Sequence, residues 1–165
     1  MALADGARTL AFREEESERH THAERLNVFI QEVLNDARLT MAGLDAVAVG
    51  IGPGSYTGLR IGLSAAKGLC FALRIPLIGM STLEVLLHQL LAKDLAMPSD
   101  ALLMPMVDAR RMEVFTFSME RGGALPQAAR PLVMDEEWLM GLPTDRTTVV
   151  FGDGADKASE LWTGR

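Results

Sequence analysis

A glycine-rich turn is the first stretch of this chain whose residue types and spacing could do chemistry. Gly52-Pro-Gly-Ser-Tyr-Thr-Gly58 follows an apolar run and opens a helical pattern. Backbone N–H groups at a helix start can hold an anion, and the candidate contacts are Gly52, Gly54, Ser55 and Thr57. A phosphate loop is excluded because no lysine stands beside Thr57. A dinucleotide fingerprint is excluded because its third glycine is missing.

A compact charged cluster is the second such group. Two carboxylates and two guanidinium groups follow a predicted strand: Asp108, Arg110, Arg111 and Glu113. Charge-assisted hydrogen bonds between such groups stabilise a fold without taking part in a reaction. We therefore expect the cluster to be structural and to hold two lobes of the chain in register, with no catalytic role.

The remaining nucleophiles and metal-binding side chains are sparse. His20 and His22 have glutamates nearby, but no second cluster accompanies them, so a metal site is not predicted. Ser64 lies inside a helical pattern and not at the strand-to-helix turn of a nucleophile elbow. Cys70 is the only cysteine and is interpreted as a packing residue. The sequence thus predicts no catalytic residue and no bound metal.

Composition narrows the class of protein. The chain has 165 residues, 48% of them hydrophobic, a net charge of −6 and a pI near 5.1. An acidic chain of this kind does not present a broad basic surface, so direct RNA binding is not expected. Neither a long apolar run nor a secretory leader is present, and we expect no membrane contact and a cytoplasmic location.

The pattern of elements predicts an α/β fold with a mixed sheet flanked by helices. The breaker Ala96-Met-Pro-Ser-Asp100 separates a first lobe, 1–97, from an incomplete second lobe, 98–165. A hairpin is predicted around Asp5-Gly6, and capping boxes at Thr21–Glu24 and Ser81–Glu84 open two helices. The predicted helices are 22–38, 58–73, 81–91 and 135–140, with a last one after 155, and the predicted strands are 46–51, 75–79, 102–107, 114–119 and 147–151.

The helix after the glycine turn contains three glycines, each of which costs about 1 kcal/mol relative to alanine. A smooth stripe of small residues allows another backbone to approach closely, and two interpretations are open: a core helix on its own sheet, or a helix shared with a partner subunit. The second predicts a partner interface that this helix and the preceding helix form together. Its residues are Gly58, Gly62, Ala65, Ala66, Leu69, Leu26, Phe29, Ile30 and Val33.

Three motifs together closely resemble the TsaB (YeaZ) family: 52–68, Ile75-Pro-Leu-Ile-Gly79 and Asp108-Ala-Arg-Arg-Met-Glu113. The resemblance implies an actin-like, sugar-kinase-like ATPase fold (ASKHA) with ribonuclease-H-like lobes. It also implies a role in making N6-threonylcarbamoyladenosine at position 37 of tRNA. The implied partner is TsaD, as a heterodimer, with TsaE in the wider complex, a homodimer when alone, and tRNA contacted indirectly. No cofactor is implied for this chain itself, whereas ATP or ADP is compatible with the assembled complex.

The related TsaD family carries a histidine pair where Thr82 and Leu86 stand in this chain. Neither side chain is an imidazole, so the resemblance implies a catalytically silent subunit. The alternative is a stand-alone enzyme of the glycoprotease-like class, either a metallopeptidase or a nucleotide-dependent phosphotransferase. The family's first strand and its C-terminal portion have no counterpart here, so the chain is expected to be partial at both ends.

Overall fold

The computed structural model describes residues 1–15, 22–93, 95–125 and 128–162, without the side chains of 22–24 and 160. The chain divides into two compact units: Met1–Gly50 with Tyr56–Gly79, and Ile51–Ser55 with Met80–Arg165. Helices and strands alternate in the order that an α/β protein requires, as predicted. None of the helices in these described ranges has the length and apolar character needed to cross a bilayer.

The first unit opens with the predicted hairpin. Strands β1 (Ala2–Asp5) and β2 (Arg8–Phe12) pair antiparallel around the turn at Gly6, which has a positive φ of 55°. Helix α1 (His22–Asp36) follows. The Arg13 side chain joins hairpin and helix, donating hydrogen bonds to Glu32 at 2.8 Å and Asp36 at 2.5 Å.

A second pair of strands forms around the glycine turn. Strand β3 (Val47–Gly52) leads through the turn into helix α2 (Tyr56–Leu73), and strand β4 (Leu77–Ser81) returns to pair with β3. These elements confirm the predicted strand, helix and strand, with boundaries that shift by about two residues. The β1–β2 and β3–β4 pairs are two separate two-stranded sheets.

The second unit is built around one central strand. After helix α3 (Thr82–Leu91), strand β5 (Leu102–Asp108) pairs antiparallel with β6 (Glu113–Thr116) and β7 (Met119–Glu120). It also pairs parallel with β9 (Thr148–Phe151), while β8 (Arg130–Val133) extends the sheet beyond β6. Helices α4 (Glu136–Met140) and α5 (Asp156–Trp162) complete the unit.

The second unit's core explains where the chain divides. Leu83 and Leu87 of α3 are fully buried in one cluster with Leu103 and Val107 of β5. Helix α3 therefore packs with the second sheet, and the compact unit begins near residue 80, earlier than the breaker at 96–100. The division into a first lobe, 1–97, and a second lobe, 98–165, stays a prediction.

Three local predictions differ from the structure. Ser81 is the N-cap of α3, but its side chain makes no capping hydrogen bond, so this part of the capping box is wrong. The single strand predicted over 114–119 is two strands, β6 and β7, separated by Phe117 and Ser118. The buried Thr116 hydroxyl at the end of β6 donates to the Pro105 carbonyl at 2.7 Å. Strand β8 was not predicted. The other capping box includes Thr21, outside the described residues.

Candidate functional site

The carboxyl ends of β5 and β9 meet at one edge of the second sheet. The two strands run parallel, with Pro105 opposite Phe151, and each brings an aspartate to this edge. Asp108 ends β5, and its backbone N–H donates to Oδ1 of Asp153, in the turn after β9, at 3.1 Å. Such an edge is where α/β sheets usually bind ligands.

A lysine neutralises the carboxylate of Asp108. Nζ of Lys157, in α5, lies 2.5 Å from Oδ1 of Asp108 and also donates to the Glu113 carbonyl at 3.0 Å. The Arg110 backbone N–H donates to the same Oδ1 at 2.5 Å. The hydrogen bond from Lys157, followed by that from Arg110, lowers the pKa of Asp108. A carboxylate with a lowered pKa is a poor proton acceptor near neutral pH, so this arrangement suits positioning and not acid–base chemistry.

The predicted charged cluster is therefore assembled differently from the expectation. Arg110 contributes its backbone N–H, and the ion-pair partner of Asp108 is Lys157, which sequence reasoning missed. Arg110 and Arg111 have positive φ angles of 72° and 49°, and their side chains are exposed. The partners of Asp108 that the structure shows lie within the second unit, so bonding between two lobes stays a prediction.

Two glycines fix the turn that carries Asp153. A Cβ on Gly152, whose φ is 103°, would overlap the Met106 carbonyl oxygen, and one on Gly154 would lie 2.8 Å from Val114 Cγ1. The Gly154 N–H donates to that same Met106 carbonyl at 3.2 Å. The turn is thus pressed onto β5, and this contact sets the position of Asp153.

The glycine turn before α2 is a separate candidate. Gly54, Ser55 and Thr57 are exposed, and Gly52 is half-buried. Helix α2 begins at Tyr56, so the first N–H groups of the helix lie next to this turn. The geometry is compatible with an anion at the helix start, and anion contact by these residues stays a prediction.

The inner face of α2 points into the first unit. A Cβ on Gly62 would lie 3.7 Å from Val49 Cγ2 of β3. A cleft of about 410 Å³ lies beside this face. Seven of the nine predicted interface residues line the cleft: Gly62, Ala65, Ala66, Leu69, Leu26, Ile30 and Val33. Of the other two, Gly58 and Phe29 are half-buried. The small-residue stripe thus faces the cleft of its own unit, and a partner interface at these residues stays a prediction.

The opposite face of α2 carries exposed residues that sequence reasoning did not group. They recur at intervals of four, four, three and four positions and so lie along one side of the helix. We call them the outer stripe: Tyr56, Arg60, Ser64, Lys67 and Phe71. Phe71 is 88% exposed and Tyr56 73%, and the Arg60 guanidinium lies 5.3 Å from the Tyr56 ring centre. Their helical spacing was visible in the sequence.

Two histidines, His20 and His22, were the metal-binding candidates of the sequence. His20 and the side chain of His22 lie outside the described residues. In the ranges that the structure describes, no three His, Cys, Asp or Glu side chains are grouped as a metal site. Cys70 is buried, and its Sγ contacts the Pro76 carbonyl at 3.4 Å, which confirms it as a packing residue.

Sequence comparison places these features in a family. The model of the family described as "TsaD: tRNA N6-adenosine threonylcarbamoyltransferase" matches residues 15–151. The tRNA threonylcarbamoyladenosine biosynthesis protein TsaB of Bacillus subtilis is 35% identical over 132 residues, 79% of this chain and 55% of that protein. An uncharacterized protein of Mycobacterium tuberculosis is 44% identical over 94 residues, 57% of this chain and 40% of that protein. The chain thus spans about half the length of the curated relatives it matches.

Solved structures agree at the level of the fold. YeaZ from Pseudomonas aeruginosa superposes with a TM-score of 0.62 at 22% identity, covering 89% of this chain and 80% of that one. An uncharacterized protein with similarity to peptidase YEAZ from Pseudomonas aeruginosa gives 0.67 at 24% identity, covering 99% and 86%.

The fold is that of the actin-like ASKHA class, as predicted. The chain belongs to the TsaD-type family and, within it, to the TsaB (YeaZ) group.

Proposed function

We propose that this chain is a catalytically silent partner subunit in the formation of N6-threonylcarbamoyladenosine at position 37 of tRNA, and that its partner is TsaD. The relative from Bacillus subtilis is named as a biosynthesis protein for this nucleoside. The TsaB of Escherichia coli, 33% identical over 100 residues, carries the same name. Both names support a role in the pathway. The residues of the chain support the assignment of the silent role to this subunit and of the catalytic role to its partner.

The observation that carries this proposal is the pair Thr82 and Leu86. By the resemblance to the TsaD family, these are the positions at which that family carries its histidine pair. Leu86 packs against the buried cluster of α3 and β5, and its Cδ1 lies 3.1 Å from the point that a Cβ on Gly152 would occupy. An alkyl side chain packed in a core and a single hydroxyl do not form a transition-metal site, which needs imidazole, thiolate or carboxylate ligands. Metal-assisted transfer chemistry then belongs to the partner.

The proposed contact with TsaD uses the outer stripe of α2. An exposed phenylalanine and tyrosine at the two ends, with arginine between them, have the composition that is enriched at protein interfaces. Exposed aromatic rings of this size contribute to binding mainly when a partner covers them. The inner face, with Gly62 at its centre, lines the cleft of the first unit. A partner interface at its residues stays a prediction and is not needed for the contact proposed here.

Co-purification with TsaD tests the proposal. Tagged chain and untagged TsaD are expressed together, and the complex is isolated by the tag and sized by sedimentation. We expect a stable heterodimer that supports tRNA modification when the other pathway proteins are supplied. An isolated chain that hydrolyses peptides or transfers phosphate by itself would instead establish the stand-alone enzyme.

A further inference from the structure

The tripeptide Asp-Gly-Ala occurs twice in this chain, once in each compact unit. Asp5-Gly6-Ala7 lies between β1 and β2, and Asp153-Gly154-Ala155 lies between β9 and α5. Glycine follows an aspartate at no other position of the sequence. Such a pair is chemically distinctive, because glycine has no side chain to shield its backbone nitrogen from the neighbouring carboxyl group. A difference in reactivity between the two copies therefore comes mainly from the fold.

The first copy lies in an open hairpin turn. Asp5 pairs with Arg8, and Gly6 and Ala7 form the two-residue loop between them. All four residues are exposed, and a Cβ on Gly6 would meet nothing within 4 Å. Among the residues that the structure describes, neither the Asp5 carboxylate nor the Gly6 N–H has a hydrogen-bond or ion-pair partner. Water reaches both groups, and no contact holds them apart.

The second copy holds the same two groups in place. Oδ1 of Asp153 accepts a hydrogen bond from the Asp108 N–H at 3.1 Å. Gly154 is buried, and its N–H donates to the Met106 carbonyl at 3.2 Å. The Gly154 nitrogen can turn toward the Asp153 carboxyl carbon only after the turn separates from β5. A reaction that requires local opening is slowed by the small population of the open state.

We propose that Asp5 is a site of spontaneous backbone modification, at which aspartate converts to isoaspartate while Asp153 is protected. The Gly6 nitrogen attacks Cγ of the protonated Asp5 carboxyl group and forms an N–Cγ bond. The N–H proton and the carboxyl hydroxyl group leave as water, and a five-membered succinimide ring results. This step is independent of the proposed function, because it needs only the hairpin.

Water then opens the ring in one of two ways. Cleavage of the N–Cγ bond returns aspartate. Cleavage of the bond between the Gly6 nitrogen and the former main-chain carbonyl carbon of Asp5 gives isoaspartate. Dehydration and hydration balance, and neither an oxidant nor a reductant takes part.

Isoaspartate changes the geometry of the hairpin. The main chain then runs through Cβ and Cγ of residue 5, so one additional carbon enters the backbone between β1 and its turn. Loop length and turn type fix the register of a hairpin, and the longer backbone does not fit the two-residue loop. We expect the β1–β2 pairing to loosen. The loosening should extend to the Arg13 N–H, which donates to the Met1 carbonyl at 2.8 Å at the far end of the hairpin.

Timed incubation of the purified chain tests the proposal. The folded protein is kept at physiological temperature and near-neutral pH, and samples are digested at intervals. Mass spectrometry with electron-transfer fragmentation quantifies isoaspartate at each position, and methyl transfer from S-adenosylmethionine by an isoaspartyl methyltransferase measures the total independently. We expect isoaspartate at position 5 to accumulate at least about tenfold faster than at position 153.

Two controls separate the fold from the sequence. In urea the difference between the two copies should disappear, because unfolding releases Gly154 from β5. Asp5→Glu should abolish the modification at position 5, because its ring would have six members and closes far less readily, and should leave position 153 unchanged. In the modified chain, isolated by chromatography, hydrogen exchange should be at least about tenfold faster in β1 and β2 than in the unmodified chain.

Three results would overturn the proposal. Equal accumulation at positions 5 and 153 in the folded chain would mean that the turn after β9 gives no protection. Isoaspartate at position 5 in urea but not in the folded chain would mean that the hairpin protects its aspartate. Unchanged hydrogen exchange in the modified chain would mean that the hairpin accommodates the additional carbon.

Discussion

A Cβ atom on Gly62 would lie 3.7 Å from Cγ2 of Val49, so this glycine of α2 faces the neighbouring strand of its own unit. The distance is an ordinary van der Waals contact, and the helix has room for a methyl group here. The close approach between α2 and β3 therefore does not require glycine at this position.

The first prediction follows from that spacing. Gly62→Ala should raise the free energy of unfolding by about 0.5–1 kcal/mol, because alanine loses less backbone entropy than glycine in a helix. Chemical denaturation of both proteins measures the difference. Gly68→Ala is the control for helix propensity alone, since it has no neighbour within 4 Å. A Gly62→Ala variant less stable than the wild type would mean that the helix lies closer to β3 than the structure has it.

Features that depend on neighbouring residues were predictable from the sequence. The Asp5-Gly6 pair indicated the hairpin, and the periodicity of apolar residues located helices α1, α2 and α3. The stripe of small residues in α2 was also visible, but small side chains suit both the chain's own strand and a partner subunit, so the sequence left both interpretations open.

Features that join distant residues were not predictable. Lys157 reaches Asp108 across 49 positions, and this requires the parallel pairing of β5 with β9. No local pattern encodes that pairing. Phe71 shows the same limit, because its exposure depends on which side of α2 packs against the rest of the unit.

The second prediction concerns the turn after β9. Gly152→Ala should destabilise the protein by more than about 2 kcal/mol, because its Cβ would overlap the Met106 carbonyl oxygen and its φ of 103° is unfavourable for alanine. Gly122→Ala is the matched control: its φ of 80° is also positive, but a Cβ there meets nothing within 4 Å. Thermal melting of the two variants should show a clearly larger loss at 152. Equal losses would mean that backbone conformation alone matters and that the contact with β5 is loose.

The third prediction is a pH dependence that comes from Asp108. Its pKa is lowered in the folded state by Lys157 and by the Arg110 N–H. The resulting stabilisation is present above the ordinary value of 3.8 and is lost as the pH falls through the lowered pKa. Asp108→Asn should therefore be less stable than the wild type near neutral pH. The difference in the free energy of unfolding should narrow as the pH falls below 3.8 and through the lowered pKa. Urea denaturation at several pH values measures it.

Lys157→Met provides the check on cause. This variant should lose most of the same pH-dependent part of the free energy of unfolding. Adding Asp108→Asn to it should destabilise the protein little further, because the two residues form one interaction. Fully additive effects of the two substitutions would assign the stabilisation to other partners.

The fourth prediction places partner binding on the outer stripe. Phe71→Glu should weaken association with TsaD at least about tenfold, because loss of an aromatic hot-spot residue costs about 2 kcal/mol or more and about 1.4 kcal/mol corresponds to a factor of ten. The free energy of unfolding of the variant chain should change by less than about 0.5 kcal/mol, because the Phe71 ring is exposed. Phe12→Glu is the control, an aromatic residue 63% exposed on β2, outside the stripe. Equal weakening by both substitutions would remove the stripe from the interface.

The most direct test of the account is the N6-threonylcarbamoyladenosine content of tRNA in bacterial cells depleted of their own TsaB and supplied with this chain together with its cognate TsaD. Mass spectrometry of the digested tRNA measures it. We expect the modified nucleoside to be restored by the pair and not by this chain alone, with Phe71→Glu reducing the restoration and Phe12→Glu leaving it intact. Restoration by this chain in cells that lack any TsaD would contradict the account, because the chain would then perform the transfer itself.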